Sequence, residues 1–220
     1  MKPIISYNFI EFEDAIDGSW RRMSRDPSAV MMVGLLFARE NSKLVSTDMI
    51  PSKQYFHLRS GDNVDFFWIG WGTYFDDTPG PIMQRDGWYF DNDGFIKSVK
   101  KIEERTTWKY SGATDLLLAN VRRTNDSERA QIDFSSMIVC QLESMLEQKA
   151  ISRVDVFFES IFRFAEDHAG NNPTWGFSDS KLISVSGSVL KKVVLSLLPK
   201  NIGADLPKIE HFAVRDVSKI

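Results

Sequence analysis

The sequence predicts a single α/β domain over residues 1–220: a small, mostly parallel sheet of three or four strands flanked by helices, with a helix-rich C-terminal half from about residue 130. Three observations carry this. Apolar segments of strand length alternate with segments of helical period, the pattern that parallel crossovers produce. The run AVMMVGLLFA, residues 29–38, is short, almost uniformly apolar and bounded by turn signals, as a strand buried on both faces would be. Clear amphipathic helices stand near both ends of the alternation.

In chain order, residues 8–26 carry Phe9, Phe12, Ile16, Trp20 and Met23 at spacings of three and four, and Asp26-Pro27 ends that helix. After the 29–38 strand comes a polar connection, and Pro51 opens a short helix, PSKQYFHLRS, with Tyr55, Phe56 and Leu58 expected to face inward. The run NVDFFWIGWG, residues 63–72, is the second strand. Residues 72–90 lack a period and read as a long aromatic loop. Phe95, Ile96, Val99 and Ile102 mark a helix behind Asp91-Asn92-Asp93, an acidic start suited to capping and to the helix dipole. DLLLANV, residues 115–121, is the third strand. Beyond it the period predicts a helix capped by Asp133 with Phe134, Met137, Ile138, Leu142 and Met145 inward, then a second carrying Val154, Phe157, Phe158, Ile161 and Phe162. Residues 178–198 are either one helix or a strand followed by a helix, and Phe212 and Val214 are expected to dock in the tail.

Composition narrows the function classes. With 43% apolar and 26% charged residues, 220 residues can bury a core without staples. The net charge of −3, from 27 basic and 30 acidic residues, argues against a dedicated duplex-DNA binder. One cysteine, Cys140, leaves no intrachain disulfide and no Cys-rich zinc site. The longest apolar run, Ala29–Ala38, has ten residues, whereas a membrane span needs about 20. A cytoplasmic protein with no membrane partner is the expectation.

The chemistry concentrates in one stretch. Twelve of the chain's 27 aromatic residues fall between Val64 and Tyr110, interleaved with aspartates. Exposed rings mark contact surfaces, which makes Trp71, Tyr74, Phe75, Trp88 and Tyr89 candidate binding residues, with Arg59 beside them. Asp65 is a carboxylate inside an apolar strand and must be paired or neutralised; Arg59 is the expected partner. His57, which titrates near neutrality, and Asp65 are the candidate acid–base residues. Asp62, Asp76 and Asp77 are the candidate metal ligands, because hard cations want oxygen donors; a divalent cation is the cofactor such a cluster would take, and none is otherwise predicted. Asp91-Asn92-Asp93-Gly94 fails as a calcium loop, since Tyr89 and Lys100 would occupy its two end positions. The dinucleotide fingerprint, the phosphate-binding loop and the nucleophile elbow are missing from the sequence.

Two functions follow as expectations. The first is a non-catalytic interaction or accessory protein that uses residues 66–90 as its contact surface, with another protein favoured over nucleic acid as partner and homo-oligomerisation left open. The second is a metal-assisted, hydrolase-like enzyme built on the Asp cluster and His57.

Overall fold

The computed structural model describes residues 2–4, 9–23, 26, 28–59, 64–72, 82–85, 88–124, 127–167, 173, 174, 177 and 213–215. Its centre is a six-stranded sheet in the order β1-β3-β2-β7-β8-β9. The strands are β1 (Lys2–Ile4), β2 (Met31–Phe37), β3 (Val64–Ile69), β7 (Asp115–Arg123), β8 (Ala130–Gln141) and β9 (Ala213–Arg215). A second sheet, β4-β6-β5, joins β4 (Trp71–Gly72), β5 (Ile82–Arg85) and β6 (Trp88–Asp91). The helices are α1 (Phe9–Met23), α2 (Lys53–Arg59), α3 (Asn92–Arg105), α4 (Leu142–Glu147) and α5 (Val154–Asp167), with a π-helical turn at Val45–Met49 before α2.

The expected α/β class holds, with a mixed sheet in place of a mostly parallel one. β3 runs parallel to both β1 and β2, while β2·β7, β7·β8 and β8·β9 are antiparallel. The antiparallel β7 already breaks the parallel order, and residues 130–141 extend the antiparallel part, being a strand and not the helix that the spacing around Asp133 predicts. Met137-Ile138-Val139-Cys140 is buried throughout. An apolar run that short fits a buried strand as well as a buried helix. β7 decides between them, because its outer edge would otherwise leave a row of peptide groups unpaired. Among the described residues, the C-terminal half therefore opens on a strand and not a helix, with α4 and α5 following it. Residues 178–198 and Phe212 lie outside the described residues, whereas Val214 pairs with Val139 in the register of β8 and β9.

Alternation assigns the sheet two faces. On one face Asp65, Phe37 and Asp115 meet α1 and the α3 region: Asp65 pairs with Arg22, Phe37 stacks on Phe95 and Trp108, and Asp115 accepts from Trp108. On the other, Phe66 packs between Phe158 and Phe162 of α5, and Phe56 of α2 joins the same cluster. Gly34 lies under Phe66 in the register of β2 and β3, where only a residue without a side chain leaves space for the ring.

β8 is irregular in its middle. Leu118 pairs with Ile138 but Asn120 pairs with Asp133, so Ala119 alone faces residues 134–137. The Asp133 carboxylate accepts from Ser135 N and Oγ, which shapes this bulge locally.

Candidate functional site

The second strand ends in a turn that sets the aromatic rim. Gly70 adopts φ 79°, and a side chain there would press on Phe95 and Phe90. Its carbonyl accepts from Asp91 N at 2.7 Å, tying the turn to the start of α3. The chain then re-enters as β4, so NVDFFWIGWG is two strands in different sheets. Residues 82–85 and 88–91 of the expected loop are strands as well. Pieces of two and four residues are too short to display a period.

The rings form a connected ladder across this rim. Trp88 stacks on Trp68 at 5.5 Å, Trp68 on Trp71 at 4.9 Å, Trp71 on Phe90 at 5.3 Å and Phe90 on Phe95 at 5.5 Å. Most of the ladder is sealed. Trp71, expected at the surface, is 1% exposed and donates its Nε1 proton to the Ala38 carbonyl at 2.9 Å. Trp68, Phe90 and Trp108 are buried too. A buried indole with a satisfied N–H is core material that also fixes the ends of β2 and β4 to each other. Trp88 and Tyr89 are half-buried, and the Lys53 ammonium lies 5.7 Å from the Trp88 ring centre. Tyr74 and Phe75 fall outside the described residues.

The acidic candidates also separate. Asp65 is 2% exposed and bound by Arg22 of α1, not by the expected Arg59. Alternation explains the error: Asp65 points to the α1 face, and α2 packs on the other. A carboxylate held in this way braces α1 against β3. Arg59 instead reaches α5, where its Nη2 is 3.0 Å from Glu159 Oε1. His57 belongs to α2, with its side chain outside the described part of the structure. Asp62, Asp76 and Asp77 are outside it altogether. Among the described residues no group of three or more His, Cys, Asp or Glu side chains is placed to hold a metal ion. Three parallel strands would all end at one rim, where open α/β sheets bind ligands. Arg39-Glu40 and Gly70-Trp71 share one rim, but β7 runs the other way and carries Asn120–Arg123 to the opposite end.

Sequence reasoning missed two carboxylates at the shared rim. Asp115 is fully buried and accepts from Trp108 Nε1 at 3.0 Å, Ser111 N at 3.0 Å and Ser111 Oγ at 2.6 Å. Burial pushes its carboxyl up, against the pull of the Ser111 and Trp108 hydrogen bonds. Glu143 accepts from Thr114 N at 2.7 Å, Thr114 Oγ1 at 2.6 Å and Ser42 Oγ at 3.1 Å. Together they clamp residues 108–114 onto the start of β7, the start of α4 and Ser42. No residue spacing announces such a pair, because both carboxylates act on backbone, hydroxyl and indole donors rather than on charged partners. Burial pushes the Cys140 thiol up to about 12, so it is an inert core residue in β8.

The outer side of α2 is different in kind. Phe56 points inward, and at 3.6 residues per turn Leu58 lies opposite it. The expected inward packing of Tyr55 and Leu58 therefore fails: they are 43% and 75% exposed. Val156 of α5, 52% exposed, lies one turn before Glu159 on the neighbouring helix. Glu159 locks the two helices together. It accepts from Tyr55 Oη, from Arg59, and from Arg163 Nε at 3.0 Å. The Arg59 hydrogen bond, then that of Tyr55, holds its carboxyl down at about 2. This fork fixes the backbone under Tyr55, Leu58 and Val156. Lys53, three residues before Phe56 and so on the inward flank of α2, reaches the Trp88 ring. Among the described residues, no helix is long and apolar enough to cross a membrane. Comparison of the chain with protein-family models, with curated proteins and with solved structures finds no match in any of the three.

Proposed function

We propose that the protein is a non-catalytic interaction or accessory protein of the cytoplasm, with another protein as its partner. Its contact surface is the strip running from Trp88 and Tyr89 of β6 across the outer side of α2 to Val156 of α5. The observation that carries this is the exposure of Tyr55, Leu58 and Val156 on helices pinned by the Glu159 fork. Apolar groups on a rigid support lose little freedom on binding, and charged groups around an apolar centre are how protein interfaces are built. The aromatic stretch contributes its half-buried end, Trp88 and Tyr89, and its sealed rings hold that end in place. The hydrolase-like alternative draws no support from the described residues: Asp65 is engaged by Arg22, and it faces away from α2, which carries His57.

Site-specific photo-crosslinking tests this. A benzophenone side chain at Leu58 is expected to capture one protein saturably, and unlabelled wild type is expected to compete. The same probe at Glu104, on α3 across the sheet, should not capture it. Leu58→Glu/Val156→Glu, with an unchanged melting temperature, is expected to compete at least tenfold less well. Equal capture from both positions, or undiminished competition by the charged variant, would refute the proposal.

A further inference from the structure

We infer that Ser111 is an acyl-acceptor nucleophile, with Asp115 as its base, for a small uncharged ester or thioester. The pair stands where α3 connects to β7 and uses none of the residues of the α2–α5 surface. A nucleophilic serine needs a base within hydrogen-bond reach, groups that orient the base, and an open approach. Ser111 is exposed, and its Oγ donates to Asp115 Oδ1 at 2.6 Å. Asp115 is fully buried, and its Oδ2 accepts from Trp108 Nε1 and Ser111 N, which turns Oδ1 toward the hydroxyl. Tyr110 braces the turn, donating from Oη to Ala113 O at 2.6 Å and from its N–H to Glu103 Oε1 at 3.0 Å. Ala113 N donates to Ser111 Oγ at 3.1 Å and steadies the charge that Oγ gains as its proton leaves. The N–H of exposed Gly112 has no hydrogen-bond partner among the described residues and is available to an oxyanion. A Cβ built on Gly112 would meet nothing within 4 Å, so the approach beside Ser111 is open.

The chain supplies its own comparison. Ser28 Oγ and Ser135 Oγ also donate to an aspartate, Asp26 at 2.8 Å and Asp133 at 2.5 Å. The N–H and hydroxyl of Ser28 hold the Asp26 carboxyl down, and Asp133 is paired with Arg122 at 2.8 Å. A carboxylate held low or paired with a cation is a poor base. Among the described residues no cation pairs with Asp115, and burial raises its carboxyl against the Ser111 and Trp108 bonds, with nearby Glu143 adding to the rise. Tyr110, which Arg39 faces, and Cys140 are both pushed up to about 12 by burial and stay neutral, while Glu143 engages Thr114 and Ser42 rather than Ser111. Two carboxylates at the turn repel a polyphosphate donor, which leaves an uncharged acyl group. In the step, Ser111 Oγ bonds to the acyl carbon and its proton passes to Asp115. The bond to the leaving alkoxide or thiolate breaks, and that group takes the proton from Asp115. The products are an ester on Ser111 and a free alcohol or thiol.

Incubation of the full chain with the acetyl thioester of a small neutral thiol, and separately with p-nitrophenyl acetate, tests the assignment, with peptide mass spectrometry locating the acetyl group. Ser111 is expected to be acetylated at least tenfold faster than Ser28 and Ser135, which report the reactivity of an ordinary Ser–Asp pair. Its rate is expected to rise with pH and level off once Asp115 has lost its proton, at a step above the ordinary carboxylate range. Asp115→Asn keeps the size of the side chain, and its melting temperature shows whether it folds; it should slow Ser111 at least tenfold. The comparison of serines within the wild-type chain decides the matter even where that variant does not fold. The assignment is overturned if Ser111 reacts no faster than Ser28 and Ser135, or if folded Asp115→Asn leaves its rate unchanged.

Discussion

Gly34→Ala tests the packing on which the α2–α5 surface stands. A Cβ on residue 34 would lie 2.4 Å from Phe66 Cδ1 and 2.5 Å from Cε1. Carbon atoms in contact keep about 3.5–4.0 Å apart, so the ring must retreat by roughly 1 Å. It has little space to do so. Phe158 stands 4.9 Å from it, centre to centre, and Phe162 meets it edge-on at 5.5 Å. Overpacking of a filled core costs about 1–3 kcal/mol, and a contact this short against a ring held on two sides belongs at the upper end, about 3 kcal/mol. For a chain of this length that lowers the melting temperature by roughly 6–12 °C. Urea denaturation followed by circular dichroism measures the loss. Adding Phe66→Leu should restore at least about 1 kcal/mol relative to the sum of the single changes, since neighbours that share a clash are not additive. A Gly34→Ala protein within about 0.5 kcal/mol of wild type would show that Phe66 is not wedged between β2 and α5, and the two-faced arrangement of the sheet would fall with it.

Two further changes address the charged residues. Arg22→Met should destabilise the protein by about 2–3 kcal/mol, less than the 3–5 kcal/mol of a fully buried pair because the Arg22 side chain is 39% exposed. Asp65→Leu in the same chain should recover part of that, and denaturant midpoints that barely move on Arg22→Met would remove the brace. Glu159 is held at about 2, below the ordinary 4.5, so its contribution to stability is complete above about pH 5 and disappears as the pH falls toward 2. Thermal melts of wild type and Glu159→Gln should therefore differ most near neutrality and converge by pH 2; a gap of constant size across that range would contradict the assignment.

The alternation of apolar runs was enough to find α1, β2, α3, β7 and α5, since each buries a face whose period is visible over seven or more residues or whose run is mostly apolar; β3 was legible despite Asp65, and α2 from Pro51, with Tyr55 and Leu58 assigned to the wrong side. Residues 130–141 were not legible as a strand. Phe134, Met137 and Ile138 suit a helix face equally well, and the unpaired edge of β7 that decides the matter is a long-range fact. The same limit applies to Asp65. Its burial demanded a partner, but choosing Arg22 over Arg59 requires knowing which helix covers which face. Aromatic enrichment located the rim correctly as a place where rings gather, and missed that stacking seals Trp68, Trp71 and Phe90 in. Leu58 and Val156 gave no signal, because a lone apolar residue on an amphipathic helix is ordinary until its neighbours are known.

The measurement that bears most directly on the proposed surface is a hydroxyl-radical footprint of the protein alone and bound to the partner captured through Leu58. Protection is expected at Tyr55, Leu58, Trp88, Tyr89 and Val156, with Ile132 and Phe134 on the opposite face as reactive as before. Protection that spares α2 and Val156, or that falls on the opposite face, would contradict it.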